Sequence, residues 1–363
     1  MKVRYLDLSV KDKRLKERLM QAVDTVLTHG RIVLGPEVEQ FEERIAEACQ
    51  QKFAVGVNSG SEALYLALRS LDLQPGDEVI TTPISWIATL NTITLCGATP
   101  IFADLKEDLN INPALIEAAI TPKTKVILPV HWSGKMCDMP TIMEIADKHG
   151  IVVIEDAAQA FGASLNGAMA GSFGMVNCLS MNPMKVLCAY GEAGALTTSD
   201  ETIYNKLVAL RYAGTVDRED CHYPSLNGRI DTIQAAMLLV NLDYHAEKVA
   251  RRKAAADFYS NLLGETVICP VDEPGYENVF YTYTIMAENR DKLMRYLEEQ
   301  GIETKIHHKI LMPNHTAYKS LPRPTIPVAE HLVGQILSLP AHENITSDEI
   351  DYVAHHVRAF YGE

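Results

Sequence analysis

The sequence contains 363 residues, 47% hydrophobic and 22% charged, a composition typical of a globular protein of about two domains. It has 47 acidic and 33 basic residues, and the net charge of −14 argues against broad nucleic-acid or anionic-membrane binding. A locally positive site for a small anion stays compatible with that charge. The twelve histidines show no metal-ligand spacing, so we expect no structural metal site.

The composition also predicts a cytoplasmic protein. The N-terminal residues lack the apolar core of a signal peptide. Nowhere does the chain have the run of about 18 apolar residues that predicts a membrane span. The seven cysteines are widely spaced and odd in number, which favours reduced thiols.

The first predicted element is a helix over residues 12–29, which we expect to pack outside the main sheet. Short apolar runs then alternate with helical patterns. This alternation is typical of βαβ units and predicts an α/β fold with a mostly parallel central sheet, covered by helices on both faces. The predicted strands span residues 54–57, 78–82, 100–103, 125–130, 151–155, 177–180 and 195–198.

The pattern changes after residue 231. A helical stretch over 231–263 predicts either one bent helix or two, and an alternating segment over 280–286 predicts a strand. A charged helix near 290–301, a strand near 303–306 and a last helix near 347–361 follow. We therefore expect a large domain over residues 1–245, including the N-terminal helix, and a smaller C-terminal α/β domain over residues 246–363.

Two common nucleotide-binding motifs, the phosphate-binding P-loop and the glycine-rich dinucleotide loop, do not occur in the sequence. The ends of the predicted strands carry other candidates, because open α/β sheets bind ligands at that edge. Ser59, Gly60 and Ser61 start a predicted helix whose N-terminus can hold a phosphate, or Ser61 is only a helix cap. Trp86 follows the second strand and either stacks on a flat ring or fills the core.

Two ionisable residues complete this set. Asp156 follows an apolar strand and must be paired or hydrogen-bonded, either to a ligand or to a turn. Lys185 lies in an uncharged, mostly apolar stretch, where an amine becomes nucleophilic unless it reaches the surface. A lysine, a carboxylate, an aromatic ring and a helix N-terminus are together what a pyridoxal phosphate (PLP) enzyme needs.

In their order and spacing, the motifs resemble the DegT/DnrJ/StrS family of sugar aminotransferases. This family has the three-layer fold of the fold type I PLP-dependent transferases. The resemblance covers nearly the whole chain, and its segments are HGRIVLGPEVEQFE at 29–42, NSGSEAL at 58–64, GDEVITTPISWIATLNTI at 76–93, GATPIFADL at 97–105, PVHWSGKMCDM at 129–139, IEDAAQAFGA at 154–163, SMNPMKVLCAYGEAGALTTSD at 180–200, LNGRIDTIQAA at 226–236 and LSLPAH at 337–342.

The resemblance implies roles for these residues. Lys185 is the lysine that binds the cofactor covalently and carries the proton, and Asp156 pairs with the ring nitrogen. Gln159 lies near the ring hydroxyl, and Trp86 stacks on the ring. The phosphate is held by the segment of Ser59, Gly60 and Ser61, by Ser180, and from the partner subunit by Asn227 and Arg229.

The partner's contribution implies a homodimer with shared active sites. A His-Tyr-Pro run that often borders the sugar site in this family is replaced here by His307, His308 and Lys309. We interpret this run either as an anion site for a diphosphate or sugar carboxylate, to which Arg31 contributes, or as an exposed basic patch. The first interpretation predicts that Lys309→Ala raises the KM for the sugar alone.

The resemblance predicts transfer of an amino group from L-glutamate to a keto-sugar. That sugar is either nucleotide-linked or a free keto-sugar acid, such as an 8-keto octulosonate. The product serves surface polysaccharide, lipopolysaccharide or secondary-metabolite synthesis. The alternatives are a sugar dehydratase of the same fold, which lacks the cofactor-binding lysine, and a non-catalytic PLP-binding regulator.

Overall fold

Strands and helices alternate along most of the chain in the computed structural model, which describes residues 1–362. These residues form twelve α-helices: α1 (Lys13–His29), α2 (Pro36–Ala48), α3 (Gly60–Ser70), α4 (Ala88–Leu95), α5 (Pro113–Ala119), α6 (Met139–His149), α7 (Glu201–Arg211), α8 (Thr232–Asp243), α9 (His245–Leu263), α10 (Arg290–Glu299), α11 (Pro327–Leu332) and α12 (Ser347–Tyr361). Short 3-10 turns span Trp132–Gly134, Met312–Asn314 and Thr316–Tyr318.

The same residues form fourteen strands: β1 (Phe53–Val57), β2 (Glu78–Thr81), β3 (Thr99–Phe102), β4 (Thr124–Leu128), β5 (Val152–Asp156), β6 (Ser164–Leu165), β7 (Ala168–Met169), β8 (Val176–Ser180), β9 (Gly194–Thr198), β10 (Thr215–Val216), β11 (Asp220–Cys221), β12 (Tyr276–Glu277), β13 (Tyr283–Met286) and β14 (Ile336–Leu339). Seven of them build the central sheet in the order β1-β9-β8-β5-β4-β2-β3. Neighbouring strands in this sheet pair in parallel except where β9 pairs with β1 and β8. The predicted α/β fold with a mostly parallel sheet is confirmed.

Hydrophobic side chains cover both faces of this sheet and make the fold three-layered. One cluster joins α2, α6 and α8 to the sheet through residues such as Phe41, Ile142 and Leu238. The opposite cluster joins α3, α4 and α7 through residues such as Leu66 and Ile93. The carboxyl ends of β1, β2, β5 and β8 lie along one edge, because these four strands run in the same direction.

The C-terminal part has a core of its own around the two-stranded sheet β13-β14. The Tyr259 and Tyr283 rings stack there at 5.1 Å between centroids, and both residues are fully buried. Val3 belongs to the same cluster, so the N-terminal residues reach across to the C-terminal part. No helix within residues 1–362 has the length and apolar composition needed to cross a membrane.

Several predicted elements have different bounds in the structure. The helical stretch after residue 231 is two helices, because α8 ends at Asp243 and α9 starts at His245. The predicted strand near 303–306 is wrong, since Lys305 forms only an isolated bridge to Ser338. The sequence did not predict β14, the partner of β13. Helix α1 packs against α8 rather than against the sheet, as expected.

Candidate active site

The N-terminus of α3 lies at the carboxyl end of β1, directly beside Ser180 at the end of β8. A Cβ atom on Gly60 would lie 2.5 Å from the Cβ of Ser180, so only glycine allows this approach. The helix cap is Ser59, whose hydroxyl accepts a hydrogen bond from the Glu62 amide at 3.1 Å. Ser61 is therefore not the cap, and its exposed side chain lies in the first turn. The first amides of a helix have no partner within the helix and point at this end, where they can bind an anion.

Asp156 ends β5 and is 2% exposed. Its Oδ2 accepts a hydrogen bond from the Thr89 hydroxyl at 3.0 Å, and its Oδ1 accepts one from the Ala158 amide at 3.2 Å. Burial raises the pKa of Asp156, whereas these two hydrogen bonds and the charge of Lys185 lower it. A carboxylate so deeply buried without a cationic hydrogen-bond partner can bind an N–H⁺ group.

Gln159 lies on the turn that follows β5 and is 7% exposed. Its Oε1 accepts a hydrogen bond from the Ser133 amide at 2.9 Å, which fixes the orientation of the side-chain amide. No acceptor for its Nε2 lies within residues 1–362. This NH₂ group can therefore donate to an oxygen atom of a ligand.

Lys185 follows β8 on a loop that Asn182 stabilises. The Asn182 carbonyl accepts from the Lys185 amide at 2.8 Å, and its side chain accepts from the Met184 amide at 3.0 Å. The Lys185 Nζ lies 4.2 Å from the centroid of the Tyr281 ring. Within residues 1–362 it has no carboxylate partner in an ion pair, so the amine stays available for chemistry.

Trp86 lies between β2 and α4, and 63% of its surface is exposed. Its ring centroid is 6.3 Å from that of His308, and the planes are tilted by 50°. The second tryptophan, Trp132, is buried and meets His308 edge-on at 5.1 Å. Because most of the Trp86 ring is uncovered, it can pack on another flat ring.

The run His307–Lys309 is not the basic patch that the sequence suggested. Burial and the neighbouring His308 lower the pKa of His307 to about 2. Burial and the charge of Lys185 lower the pKa of His308 to about 3. Both imidazoles are neutral near pH 7, because burial disfavours the charged form, and Lys309 alone is exposed. Lys309 is therefore the one cation of this run near pH 7.

Arg31 lies on the exposed loop after α1. Its amide donates to Nδ1 of His29 at 3.1 Å, and its carbonyl lies next to Gly35. Within residues 1–362 it makes no hydrogen bond or ion pair with His307, His308 or Lys309. A single chain therefore does not bring the four predicted substrate residues together.

The loop of Asn227 and Arg229 packs against the start of the α3 segment. The Asn58 side chain donates to the Asn227 carbonyl at 3.1 Å. The Arg229 Nε donates to Oδ1 of Asn227 at 2.7 Å, and its guanidinium lies 4.4 Å from the Tyr212 ring centroid. Asn227 is exposed, so its side chain is accessible to another molecule.

These groups fit pyridoxal 5′-phosphate. Asp156 suits the protonated ring nitrogen, Gln159 the ring hydroxyl, and the α3 N-terminus with Ser180 the phosphate. The accessible amine of Lys185 suits the aldehyde carbon, and Trp86 suits a ring face. When bound, PLP supplies an aldehyde carbon that carries the amino group and a ring that serves as an electron sink. A three-layer α/β fold with these groups at one sheet edge defines a PLP-dependent transferase of fold type I.

Comparison with known proteins gives the family. The chain belongs to the DegT/DnrJ/EryC1/StrS aminotransferase family, whose model matches residues 13–358. It is accordingly a PLP-dependent aminotransferase. A protein of Streptomyces venezuelae named dTDP-3-amino-3,4,6-trideoxy-alpha-D-glucose transaminase is 39% identical, over 93% of this chain and 91% of that protein. A pleiotropic regulatory protein of Geobacillus stearothermophilus is 38% identical over 99% of both chains.

Solved structures agree with this assignment. The crystal structure of S. venezuelae DesV in complex with a ketimine intermediate has a TM-score of 0.96 and 36% sequence identity. The likeness covers 100% of this chain and 99% of that one. The family resemblance, the fold class and the cofactor predicted from the sequence are thus confirmed.

Sequence reasoning missed two residues of the site. Thr89 holds Asp156, and Tyr281 lies against Lys185. In the sequence Thr89 lies within the segment 76–93, three residues after Trp86, but nothing there indicates a contact with Asp156. Tyr281 lies in the alternating segment that predicted a strand, which gave no indication of a contact with the lysine loop.

Proposed function

We propose that the enzyme transfers the amino group of L-glutamate to a keto-sugar and releases 2-oxoglutarate and an amino sugar. The substrate we favour is nucleotide-linked, because the S. venezuelae relative is named for a dTDP-linked amino sugar. A free keto-sugar acid such as an 8-keto octulosonate is the second candidate, and Lys309 is the exposed cation that would meet its carboxylate. The product would enter surface polysaccharide, lipopolysaccharide or secondary-metabolite synthesis in the cytoplasm.

One observation carries the chemical part of this proposal: an unpaired amine, a buried carboxylate and a helix N-terminus lie at the same sheet edge. In this scheme Lys185 binds the cofactor and moves the proton in both half-reactions. Asp156 keeps the ring nitrogen protonated, and Gln159 donates to the ring hydroxyl. The α3 N-terminus (Ser59, Gly60, Ser61) and Ser180 bind the phosphate.

The two alternatives differ from this scheme in identifiable ways. A dehydratase of the same fold lacks the cofactor-binding lysine, whereas Lys185 is present. A regulatory role is the one that the name of the G. stearothermophilus relative, a pleiotropic regulatory protein, indicates. Against it, the lysine, the carboxylate and the helix N-terminus are all kept in a geometry that suits catalysis.

We further propose a homodimer with shared active sites, in which Asn227 and Arg229 reach the partner's phosphate and Arg31 reaches its substrate cleft. Exposed apolar side chains support a contact surface at one side of the chain. Met20 and Leu27 lie seven residues apart on α1, and Ile32 and Val33 follow on the next loop. An α-helix places residues seven apart on the same face.

We also propose that the chain divides into a large domain of residues 1–245 and a smaller domain of residues 246–363.

The test is a transfer assay with nitrogen-15-labelled glutamate and a panel of keto-sugars, nucleotide-linked and free. We expect the label to appear in an amino sugar, as read by mass spectrometry, and the visible absorbance of the bound cofactor to fall on adding glutamate alone. A dehydratase would release water from the sugar without incorporating the label. A regulator would do neither.

A further inference from the structure

The N-terminal segment, residues 1–5, packs along the C-terminal part of the chain, against Gly301 and Glu303. The Val3 amide donates to the Gly301 carbonyl at 2.9 Å, and the Glu303 amide donates to the Val3 carbonyl at 2.9 Å. The Tyr5 amide donates to a carboxylate oxygen of Glu303 at 3.2 Å. These contacts fix the backbone just where the Tyr5 side chain turns inward.

The Tyr5 hydroxyl forms a 2.7 Å hydrogen bond with Nε2 of His307. His307 is 7% exposed, and its ring meets the Tyr281 ring edge-on at 5.9 Å. Tyr281 in turn lies against the Lys185 amine. Tyr5 is therefore connected to the catalytic lysine through two intervening side chains, although it is far from that lysine in sequence.

A row of buried hydroxyl groups approaches the Tyr5 phenol from the other side. The Thr282 and Thr284 hydroxyls are 3.0 Å apart, and the Thr284 and Ser338 hydroxyls are 2.7 Å apart. Burial raises the pKa of Tyr5, and a hydrogen bond with Ser338 lowers it. The hydrogen bond of the phenol is thus with His307, and Ser338 is a second polar group that acts on it.

The far end of this row reaches the cofactor site. The Ser133 hydroxyl contacts the Thr282 hydroxyl and donates to the Thr282 carbonyl at 2.7 Å. The Ser133 amide is the group that orients Gln159. The row accordingly links Gln159, a predicted cofactor residue, to Ser338 through the interior of the protein.

The direction of the Tyr5–His307 hydrogen bond determines which ring nitrogen of His307 carries a proton, and so whether its free nitrogen donates to a ligand or accepts from it. A neutral imidazole has one donor nitrogen and one acceptor nitrogen. With the phenol, the more acidic group, as the donor to Nε2, the proton of His307 lies on Nδ1. Within residues 1–362 Nδ1 has no hydrogen-bond partner. It is free to donate to an oxygen atom of a ligand.

The side chains of His307 and Tyr281 separate Tyr5 from the Lys185 amine. A cavity of about 20 Å³, large enough for one water molecule, is lined by residues that include Tyr5, Thr282, His307 and His342. Tyr5 therefore acts through His307 rather than on the reacting atoms.

We propose that Tyr5 is a positioning residue for the sugar half-reaction: it orients His307 and fixes its Nδ1–H form, so that His307 donates to a hydroxyl or carbonyl oxygen of the keto-sugar. This inference rests on the proposed function, because it assigns a sugar oxygen as the acceptor. It also assigns the N-terminal segment to the active site.

The test variant is Tyr5→Phe, which removes the hydroxyl and keeps the ring. We expect the KM for the keto-sugar to rise about fivefold, the loss typical of one hydrogen bond, while the glutamate half-reaction in single turnover keeps its rate. In a His307→Gln background Tyr5→Phe should add nothing. The matched control is Tyr361→Phe, which removes a hydroxyl bonded to the Glu288 carbonyl at 2.6 Å, away from the cleft.

Nitrogen-15 NMR of labelled histidine supplies a readout that needs no turnover. We expect His307 to show protonated Nδ1 in the wild type and a mixture of both forms in Tyr5→Phe. An unchanged sugar KM, an equal slowing of both half-reactions, or a protonated Nε2 in the wild type overturns the inference. If the wild type aminates no keto-sugar, the proposed function fails, and the NMR result still decides whether Tyr5 sets the protonation of His307.

Discussion

The Thr89 hydroxyl donates to Oδ2 of Asp156 across 3.0 Å, from the first turn of α4 to the end of β5. The Ser85 hydroxyl lies 2.9 Å from that of Thr89 and holds it in turn. Since burial raises the pKa of Asp156, this donation helps to keep the carboxylate ionised, as it would have to be to hold the ring nitrogen of the cofactor. Thr89, which takes no part in the proposed reaction itself, thus helps to set the charge of Asp156.

We expect Thr89→Val to lower kcat about tenfold, because a hydrogen bond to a charged group contributes about 1.5–3 kcal/mol. The measurement is steady-state transamination together with cofactor affinity. Thr92→Val is the matched control, since the Thr92 hydroxyl bonds only to carbonyls of α4. A kcat equal to that of the control would show that Asp156 does not depend on Thr89.

Replacing Lys185 with alanine should abolish turnover with glutamate and keto-sugar while the protein stays folded. The reason is that, within residues 1–362, Lys185 is the amine that lies against the Tyr281 ring at the proposed cofactor site. Activity is measured by label transfer, and folding by circular dichroism. Retained transamination in Lys185→Ala would refute the assignment of the catalytic lysine.

Gly60→Ala should weaken binding of the cofactor, because its new methyl group would displace Ser180 from the α3 N-terminus. We expect at least a tenfold loss of affinity, the effect of about 1.4 kcal/mol, in a fluorescence titration of the cofactor-free protein. Gly334→Ala serves as the control, since the nearest atom to its added carbon is 3.3 Å away. Equal affinities for the two variants would argue against a phosphate site here.

Lys309 is exposed and is the cation of the run His307–Lys309 in the predicted anion site. We expect Lys309→Ala to raise the KM for an anionic keto-sugar about threefold to tenfold and to leave the glutamate half-reaction unchanged, as for one charge-assisted contact. Lys319→Ala, another exposed lysine, is the comparison variant. An unchanged sugar KM would remove Lys309 from the substrate site.

Acid should destabilise the protein through its buried histidines. Burial, reinforced by the charge of Lys248, lowers the pKa of His245 to about 4. The unfolded chain therefore binds a proton at higher pH than the folded one, so this stability is present above about pH 6.5 and is lost as the pH falls towards 4. By pH 5 the loss from His245 is about 2 kcal/mol.

Urea unfolding of the wild type and His245→Gln at pH 7.5 and pH 5 measures this effect. We expect His245→Gln to show a smaller fall in the free energy of unfolding than the wild type. The comparison variant is His331→Gln, an exposed histidine on α11. If all three proteins lose equal stability, His245 is not the group that titrates.

Local patterns predicted the elements whose ends are set by nearby residues. The last helix was expected near 347–361 and is found at Ser347–Tyr361, because Thr346 and Glu349 form a capping box within four residues of each other. The strand expected near 303–306 does not form. There Glu303 and Lys305 bond to Val3 and Ser338, which are remote in sequence.

The residues of the candidate site also fall into two groups, those that a local sequence pattern predicts and those that it does not. Lys185 and Asp156 could be predicted because each follows a strand end and belongs to a recognisable motif. Thr89 lies 67 residues from Asp156, and Tyr5 lies 302 residues from His307. No local sequence pattern therefore predicts either contact. The neutral state of His308 was also hidden, because it depends on burial rather than on neighbours in the chain.

The place of Val3 in the C-terminal core has a consequence for biosynthesis. During synthesis on the ribosome Val3 emerges about 300 residues before the backbone that it pairs with, around Gly301–Glu303. Closures of such long loops form late and slowly. The segment that carries Tyr5 must therefore stay unpaired, and open to proteases and chaperones, until residues 301–303 have been made.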